Sequence, residues 1–549
     1  MNEIYQFQKN ILKQYKKFKL SKKKKSFKEI CFPKTFTYQI PQLFVSSFIN
    51  PNTNYKSLLI YHKIGAGKTC AAILIGEQWK HKKNIILVCS ASLVGNFYKE
   101  IRSECTGNNY VTKEEREKLK LLDPSTPNYK NLIKDINKRI DKYYSIYSYN
   151  KFVYLINKKK ININNALLII DEVHNIVSEY GSFYNTIYKF IHNAPTNLRI
   201  IIMTATPIFD KPMELGLTIN LLRPKKLLPI GNEFNDKYID YKIINNSINY
   251  SIKNINELAK SINGLISYYQ GAPNYVFPTK KFKIVKCTMN KYQYECYKSI
   301  LKEEGNIKQL NILKLPNNFF IGSRIISNIA FPNKLINNMG LKALTSTHMK
   351  LDNLKNFSIK FYYIIKRILK STGTIFIYSN FREYGGLLTL VKILEYYKFK
   401  NFLEHGVGKY RFAIWSGNET TEQKNKLRDI FNDYSNLNGS KIKIILGSPA
   451  IKEGISLLRV RQVHIIDPYW NISRLNQVIG RAIRFCSHKD IPKNKRYVKV
   501  YMYLAVAPEQ NIKTIDEHIY DIALTKNNIS KQFENIIKRT AIDYYLFQK

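Results

Sequence analysis

The sequence predicts an α/β fold: two tandem parallel-sheet domains, a helical region between them and a helical carboxy-terminal tail. Short apolar segments alternate with helical patterns between residues 57 and 204, and this rhythm returns between residues 373 and 466. Such alternation is typical of β-α-β units, whose strands pair in parallel. The chain has 549 residues, which is too long for one hydrophobic core. We therefore expect a separate domain at each alternating region.

The predicted domain boundaries follow the shifts of pattern along the chain. They are a basic arm at residues 1–30, a first sheet domain at 31–215, a connector or insertion at 216–364, a second sheet domain at 365–500 and the helical tail at 501–549.

The charge balance indicates a polyanionic partner. The chain carries 88 Lys and Arg against 40 Asp and Glu, a formal net charge of +48. Nucleic acid is the partner that such an excess of cations favours. Asn, Ile and Tyr are also abundant, so part of the lysine content is open to a compositional explanation. The basic run at residues 21–28, SKKKKSFK, reads better as a solvated arm than as a nuclear signal or DNA-binding arm.

The sequence indicates a cytoplasmic protein that is not secreted. No apolar run reaches the roughly 18 residues that a membrane span requires, and the amino terminus lacks the pattern of a signal peptide. The seven cysteines are scattered, with no C-x-x-C pair. We therefore expect a reducing compartment, without structural zinc or a disulfide framework.

Residues 62–70, HKIGAGKTC, have the pattern of a phosphate-binding loop between a strand and a helix. Glycines allow backbone N–H groups to approach an anion, and the helix amino terminus adds partial positive charge. Lys68 would reach the β- and γ-phosphates of ATP, and Thr69 would hold Mg²⁺. The loop residues predicted to bind ATP are His62, Lys63, Ile64, Gly65, Ala66, Gly67, Lys68 and Thr69.

Two features of this loop region need separate consideration. The general pattern requires glycine at position 62, where this chain has His62. Upstream, a glutamine amide can read an adenine edge because it offers a donor and an acceptor together. Gln42 is the first candidate for that contact and Gln39 the alternative, beside the simpler reading of a surface glutamine.

Two further strands end in polar residues. The segment ALLIIDEVH carries Asp171 and Glu172 directly after a buried strand, and LRIIIMTATP places Thr204 and Thr206 after the next. The carboxyl ends of parallel strands form the ligand-binding edge of such a sheet. Asp171 would hold Mg²⁺ through water, and Glu172 would polarise the attacking water. The threonine hydroxyls would sense the γ-phosphate and couple its state to the rest of the domain.

These three segments, in this order and spacing, resemble motifs I, II and III of the superfamily two helicases, the DExH and Swi/Snf-like group. Further along, the EGIS segment that contains Gly454 resembles motif V, and QVIGRAIR at residues 477–484 resembles motif VI. The resemblance implies two RecA-like domains with ATP and Mg²⁺ bound between them, so that hydrolysis requires domain closure.

The motif VI residues supply the second half of the predicted site. Spacing of i, i+4 and i+7 places Gln477, Arg481 and Arg484 on one face of a helix. Two guanidinium groups on one face can stabilise charge on the transferring phosphoryl group. Turns after the strands are candidates for sequence-independent phosphate contacts with nucleic acid. The candidate residues there are Ser90, Ser92, Asn150, Ser379 and Ser448.

Residues outside the general motifs, including ASLVGNFYKE and RAIRFCSHKDIP, resemble the NTPases of large cytoplasmic DNA viruses and their plasmid relatives. The NTPases meant are those of the type of the poxvirus early transcription factor small subunit and of nucleoside triphosphate phosphohydrolase I. The phosphate loops of this subgroup tend to carry histidine where this chain has His62. The resemblance implies a nucleic-acid partner and favours DNA over RNA, while the sequence leaves the choice between the two open. It also implies a viral-type RNA polymerase or a second transcription-factor subunit, and a location in the viral factory or virion or in a cytoplasmic plasmid system.

Three functions follow from this resemblance. The first is an ATP-dependent DNA helicase or translocase in viral-type transcription. The second is a promoter or termination factor that uses ATP to remodel a polymerase–DNA complex without unwinding duplexes. The third, a binding protein with an inactive NTPase site, is disfavoured because no catalytic position is replaced.

Overall fold

The computed structural model of the protein describes residues 2–21, 25–244, 247–305, 319–452, 455–510 and 512–547. The chain forms two compact units, of which the first is Met1–Ala272 with Asn528–Lys549 and the second is Pro273–Asn527. Each unit contains a parallel sheet with helices, so the predicted α/β class is confirmed. None of the helices in the described part of the chain combines the length and apolar character needed to cross a bilayer.

The first unit is built on a six-stranded parallel sheet with the strand order β3-β2-β4-β5-β1-β8. Its strands are β1 (Ser57–His62), β2 (Asn84–Cys89), β3 (Tyr144–Ser148), β4 (Ala166–Asp171), β5 (Arg199–Thr204) and β8 (Ile266–Tyr269). A separate antiparallel hairpin joins β6 (Ile239–Ile244) and β7 (Ser247–Ile252).

Twelve helices of the first unit precede β8 in the described residues. They are α1 (Asn2–Gln14), α2 (Phe27–Cys31), α3 (Ile40–Phe48), α4 (Lys68–Trp79), α5 (Ala91–Ile101), α6 (Lys113–Leu121), α7 (Pro127–Asp141), α8 (Tyr149–Asn157), α9 (Ser182–His192), α10 (Glu214–Asn220), α11 (Gly231–Tyr238) and α12 (Ile255–Ile262).

The first sheet is buried on both faces, as a parallel sheet requires. In β1, Leu59 and Tyr61 contribute to one apolar core, whereas Leu58 and Ile60 contribute to the other. Side chains that alternate between two cores explain why the strands read as continuous apolar runs. The register pairs Tyr61 with Thr204, so the loops after β1 and β5 leave the sheet at the same edge.

The second unit contains a seven-stranded parallel sheet with the order β11-β12-β13-β10-β14-β15-β9. Its strands are β9 (Thr279–Thr288), β10 (Ile375–Tyr378), β11 (Lys400–Asn401), β12 (Arg411–Trp415), β13 (Ile444–Gly447), β14 (Gln462–Ile465) and β15 (Tyr497–Val506).

The remaining helices begin after β9. They are α13 (Lys291–Glu304), α14 (Ile321–Asn328), α15 (Asn338–Ala343), α16 (Ser346–Met349), α17 (Leu351–Phe357), α18 (Ile359–Leu369), α19 (Leu387–Tyr396), α20 (Phe402–His405), α21 (Thr421–Phe431), α22 (Ile472–Ala482), α23 (Ile515–Thr540) and α24 (Tyr544–Phe547).

The structure divides the chain at points other than the predicted boundaries. The predicted connector, residues 216–364, contributes β8 to the first sheet and β9 to the second. The predicted tail is also shared, because the unit boundary falls inside α23 and residues 528–547 pack with the first unit. The local sequence does not show to which unit these segments belong, since a strand as short as β8 is defined by the neighbour with which it pairs.

A disulfide between Cys70 and Cys105 departs from the expectation of a chain without a disulfide framework. The two Cα atoms lie 5.9 Å apart although the residues are 35 positions apart in sequence. Cys70 lies in the first turn of α4, and Cys105 lies in a 3₁₀ turn, Glu104–Thr106, that follows α5. Spacing along the chain gave no sign of this pair because the turn folds back onto α4.

Replacing Cys105 with serine is expected to lower the free energy of unfolding by about 4 kcal/mol, because the cross-link closes a loop of 35 residues and so restricts the unfolded chain. Urea unfolding without reductant measures this difference, and Cys89→Ala, at a buried cysteine outside the Cys70–Cys105 pair, is the control. Alkylation of both Cys70 and Cys105 in the unfolded, unreduced protein would show that the disulfide does not form.

Candidate functional site

The loop between β1 and α4 has the geometry of an anion cradle. Gly65 and Gly67 have φ angles of 82° and 64°, a region that glycine enters without steric cost. Helix α4 begins at Lys68, and no side chain caps the helix at Gly67. The first N–H groups of α4 therefore offer hydrogen bonds to an anion in the loop. This arrangement fits the phosphates of a nucleotide.

The lysine and threonine of the loop lie at its rim. Lys68 Nζ donates to the carbonyl oxygen of His62 at 3.0 Å, which folds the ammonium group back over the loop. Lys68 and Thr69 are both partly exposed. A cation above the uncapped end of a helix adds to the attraction for phosphate.

Both candidate glutamines contact the loop. Gln42 Nε2 donates to the carbonyl of Gly67 at 3.0 Å, and Gln39 Nε2 donates to that of Gly65 at 3.1 Å. The Gln42 amide is further engaged because its Oε1 accepts from the Gln39 N–H at 2.7 Å. A side chain at position 67 would place its Cβ 2.3 Å from Gln42 Nε2. The glutamines thus brace the glycines, and an adenine contact by either stays a prediction.

The two residues that begin the loop face different surroundings. His62 is fully buried, and burial together with the nearby Lys68 ammonium lowers its pKa to about 3. A neutral, buried imidazole does not line the phosphate cradle. Lys63 Nζ instead donates to the carbonyl of Ala205 at 3.2 Å, so the loop is joined to the segment that follows β5.

Glu172, which follows β4, and Thr204, which ends β5, both contact one histidine. His174 Nδ1 lies 3.4 Å from Glu172 Oε2 and 3.1 Å from Thr204 Oγ1. Thr204 Oγ1 in turn donates to the carbonyl of Thr206 at 3.1 Å. The structure therefore brings the predicted water-polarising carboxylate and the predicted coupling residues together around one histidine, which is hydrogen-bonded to Thr204 and lies within ion-pair distance of Glu172.

Asp171 and Thr69 are the residues that would hold Mg²⁺. Asp171 is buried and ends β4, and its Oδ1 accepts from the backbone N–H of Glu172 at 3.0 Å. A carboxylate and a hydroxyl are the oxygen ligands that Mg²⁺ prefers. Thr206 Oγ1 is buried with no hydrogen-bond partner among the described residues, which leaves one polar group open to a ligand at this sheet edge.

Motif VI in the second unit departs in part from its predicted geometry. Helix α22 ends at Ala482, so Arg484 does not lie on the helix with Gln477 and Arg481. The two arginines nevertheless meet, because Arg481 Nη1 and Arg484 Nη2 donate to the carbonyl of Ile455 at 3.2 and 3.4 Å. The helix ends here because the backbone of Ile483, the C-cap residue, leaves the helical region, with φ −103° and ψ 79°. Gly454 lies outside the described residues.

The predicted nucleic-acid contacts divide into three groups. Ser90 occupies the N-cap position of α5 without a side-chain capping bond and shares a hydrogen bond with the exposed Ser92 at 3.1 Å, and Asn150 is exposed in the first turn of α8. Ser448 is buried before a 3₁₀ turn, Pro449–Lys452. Ser379 is fully buried and its hydroxyl donates to Asp467 Oδ1 at 2.5 Å. The side chain of Ser379 is thus used internally, contrary to expectation.

Sequence reasoning missed two residues that the site uses. His174 is part of the DEVH segment, yet its link to Thr204 depends on the pairing of β4 with β5. Asp467 follows the buried strand β14 and accepts from Asn380 N at 3.0 Å as well as from Ser379. A carboxylate directly after a buried strand was the signal that identified Asp171, so the same signal could have identified Asp467.

Comparison with known families agrees with this geometry. Residues 15–341, more than half of the chain, match the model of the SNF2-related domain. Residues 360–486 match the helicase conserved C-terminal domain.

The relatives by sequence are viral proteins. A putative ATP-dependent RNA helicase of Acanthamoeba polyphaga mimivirus is 48% identical over 550 residues, covering 99% of this chain and 95% of that protein. A protein of African swine fever virus named as a termination factor NPH-I homolog is 29% identical, covering 90% of this chain and 77% of that protein.

Among solved structures, the Hef helicase domain of Pyrococcus furiosus has a TM-score of 0.42 at 14% identity, covering 87% of this chain and 96% of that one. The SWI2/SNF2 ATPase core of Sulfolobus solfataricus in complex with dsDNA has a TM-score of 0.30 at 17% identity, covering 87% and 89%. The family matches and the 48% identity are what decide the assignment. The chain belongs to the SNF2-related helicases and is an ATP-hydrolysing enzyme of that family that binds nucleic acid.

Proposed function

We propose that this chain is an ATP-driven helicase or translocase that moves along nucleic acid, DNA in preference to RNA, in viral-type transcription. The observation that carries the proposal is the contact of His174 with both Glu172 and Thr204. A histidine between the residue that polarises water and the loop after β5 provides a path from phosphate chemistry to the rest of the domain. A motor requires such coupling, whereas a simple hydrolase does not.

The proposed roles in hydrolysis follow from the side chains. Lys68 would bind the β- and γ-phosphates, and Glu172 would orient and polarise the attacking water. Thr69 and Asp171 would hold Mg²⁺, which supplies charge neutralisation when it is bound. Arg481 and Arg484, with Gln477 nearby in sequence, would stabilise charge on the transferring phosphoryl group.

The proposed nucleic-acid contacts are to phosphates. Ser90 and Ser92 lie at the amino terminus of α5, and Asn150 lies at that of α8. Backbone N–H groups at helix amino termini bind phosphate without regard to base sequence. The net charge of +48 supports this mode of binding.

The choice of transcription is supported by the African swine fever virus relative named as a termination factor homolog. A viral-type RNA polymerase or second transcription-factor subunit is the proposed protein partner. The proposed location is the cytoplasmic viral factory or virion, or a cytoplasmic plasmid system. The mimivirus relative carries the name of an RNA helicase, so RNA is the substrate against which DNA must be compared.

A second candidate function is a promoter or termination factor that remodels polymerase–DNA complexes without separating strands. The match of residues 15–341 to the SNF2-related domain favours it, because Swi/Snf-like motors track duplex DNA without unwinding it.

We expect ATP hydrolysis to be stimulated several-fold more by DNA than by RNA of equal length. Binding should also weaken by about 10³-fold between roughly 50 and 200 mM salt if six or more phosphates are contacted. Turnover measured side by side with single-stranded DNA, duplex DNA and RNA checks the first expectation, and a salt titration of DNA affinity checks the second. Stronger stimulation by RNA would overturn the preference for DNA.

A strand-displacement assay separates the two candidate functions. Displacement that depends on ATP supports the helicase, whereas hydrolysis stimulated by duplex DNA without displacement supports the remodelling factor. A variant with Lys68 replaced by alanine provides the background for both measurements.

A further inference from the structure

The histidine at the start of the phosphate loop is tied to the far end of the chain. His62 Nε2 lies 2.8 Å from Ser267 Oγ on β8. The Ser267 hydroxyl donates to the carboxylate of Asp543, which also accepts from the backbone N–H of Tyr268 at 2.9 Å. His62, Ser267 and Asp543 are all fully buried. A continuous polar chain therefore runs from the loop through β8 to the carboxy-terminal segment.

The next loop residue is held by the same two elements. The backbone N–H of Lys63 donates to the carbonyl of Tyr269, at the end of β8, at 2.9 Å. Its ammonium group lies 3.5 Å from Glu534 Oε2, and the two side chains are 32% and 17% exposed. Gly271 packs so closely behind the loop that a side chain there would place its Cβ 2.4 Å from the carbonyl oxygen of Ile64.

The segment that supplies these carboxylates, residues 528–547, is firmly packed in the first unit. Phe533 and Ile537 belong to the apolar core on one face of the sheet, and Ile542 and Leu546 belong to the core on the other. Gln8 Nε2 donates to the carbonyls of Arg539 and Ala541, both at 2.8 Å. Because the segment is held by both cores, its carboxylates occupy fixed positions.

We propose that residues 528–547 are part of the nucleotide site, with Glu534 and Asp543 as positioning residues that hold Lys63 and His62 so that the loop is preformed for phosphate. Glu534 contacts Lys63 directly and Asp543 reaches His62 through Ser267, so each carboxylate acts through a loop residue. The inference rests on the proposed role of this loop in binding ATP. It also explains why histidine stands at position 62, since glycine could not reach Ser267.

The charges on these groups agree with a positioning role. Burial lowers the pKa of Lys63, and the neighbouring Glu534 carboxylate opposes this shift. Burial raises the pKa of Asp543 to about 7, against the opposing hydrogen bonds from Ser267 and Tyr268. Buried polar groups of this kind are costly unless they are satisfied, so removing one member should disturb the position of the others.

The test compares Glu534→Gln and Ser267→Ala with two matched controls in the full-length protein. The controls are Asp521→Asn, at a partly exposed acidic residue of the same helix α23, and Ser261→Ala, whose hydroxyl donates to the backbone carbonyl of Glu257 within α12. We expect KM for ATP and the dissociation constant of a fluorescent ATP analogue to rise about 5-fold in both test variants, with kcat within roughly 2-fold, because ground-state binding is lost. The controls should match the unmodified chain.

Thermal unfolding of every variant distinguishes positioning from general destabilisation. Glu534 is on a helix surface and is partly exposed, so Glu534→Gln is expected to keep its melting temperature and to decide the result even if Ser267→Ala does not fold. An unchanged KM in folded Glu534→Gln overturns the inference. Failure of the proposed function would give a different result, because the Lys68→Ala variant would then hydrolyse ATP as fast as the unmodified chain.

Discussion

Replacing Lys68 with alanine is expected to abolish ATP hydrolysis, with a fall in kcat of about 10³-fold or more. The ammonium group lies at the loop, 3.0 Å from the carbonyl of His62, and it is the loop cation that can neutralise charge developing on the β- and γ-phosphates. Alanine removes this charge and leaves the helix amino terminus intact, so the loss should appear in catalysis more than in folding. Steady-state hydrolysis with saturating DNA and Mg²⁺ measures the effect.

Lys82→Ala is the control for this experiment. Lys82 is an exposed lysine just beyond the other end of α4, and its removal lowers the net charge by the same amount. Turnover of Lys82→Ala should equal that of the unmodified chain. Hydrolysis at an unchanged rate in the Lys68 variant would mean that the enzyme binds its nucleotide elsewhere.

Replacing Arg481 or Arg484 with alanine is expected to lower kcat by about 10³-fold, with a much smaller change in KM for ATP. The two guanidinium groups converge on the carbonyl of Ile455, so they form a single concentration of positive charge. Charge that stabilises the transferring phosphoryl group acts in the transition state and therefore appears in kcat. Single-turnover hydrolysis with each variant measures the chemical step.

Because both arginines share one acceptor, their effects should not be additive. We expect the double variant to be only slightly slower than either single variant. Arg428→Ala, at a partly exposed arginine of α21 paired with Asp429, controls for the loss of one positive charge. A variant of Arg481 or Arg484 that raises KM and leaves kcat unchanged would assign the arginines to ground-state binding.

The strands that define the ligand-binding edge could be predicted because each is a continuous apolar run. Strands β1, β4 and β5 are buried on both faces, so the pattern of residues within each strand is sufficient to find it. The loop residues Gly65, Gly67 and Lys68 were also recognisable, because a phosphate loop consists of neighbours in sequence. The order of the motifs was enough to indicate the family, which the comparisons confirm.

The partners of buried polar residues could not be predicted in the same way. Ser379 was expected to face nucleic acid, yet it donates to Asp467, which lies 88 residues away. Arg484 was expected on a helix that ends two residues earlier. A helical spacing describes the side of a helix but not the residue at which the helix stops, and a serine after a strand is equally compatible with a buried hydrogen bond.

The fold class and the family could be predicted from the sequence, as could the candidate phosphate loop and the acidic pair at the end of β4, because each depends on residues that are adjacent or regularly spaced. The contacts that hold the loop in place are visible only in the folded chain. His62 meets Ser267 across 205 residues of sequence, and Ser267 meets Asp543 across a further 276. These contacts exist because β8 pairs with β1 and the carboxy-terminal segment packs against both cores, and no local pattern of residues specifies such long-range pairing.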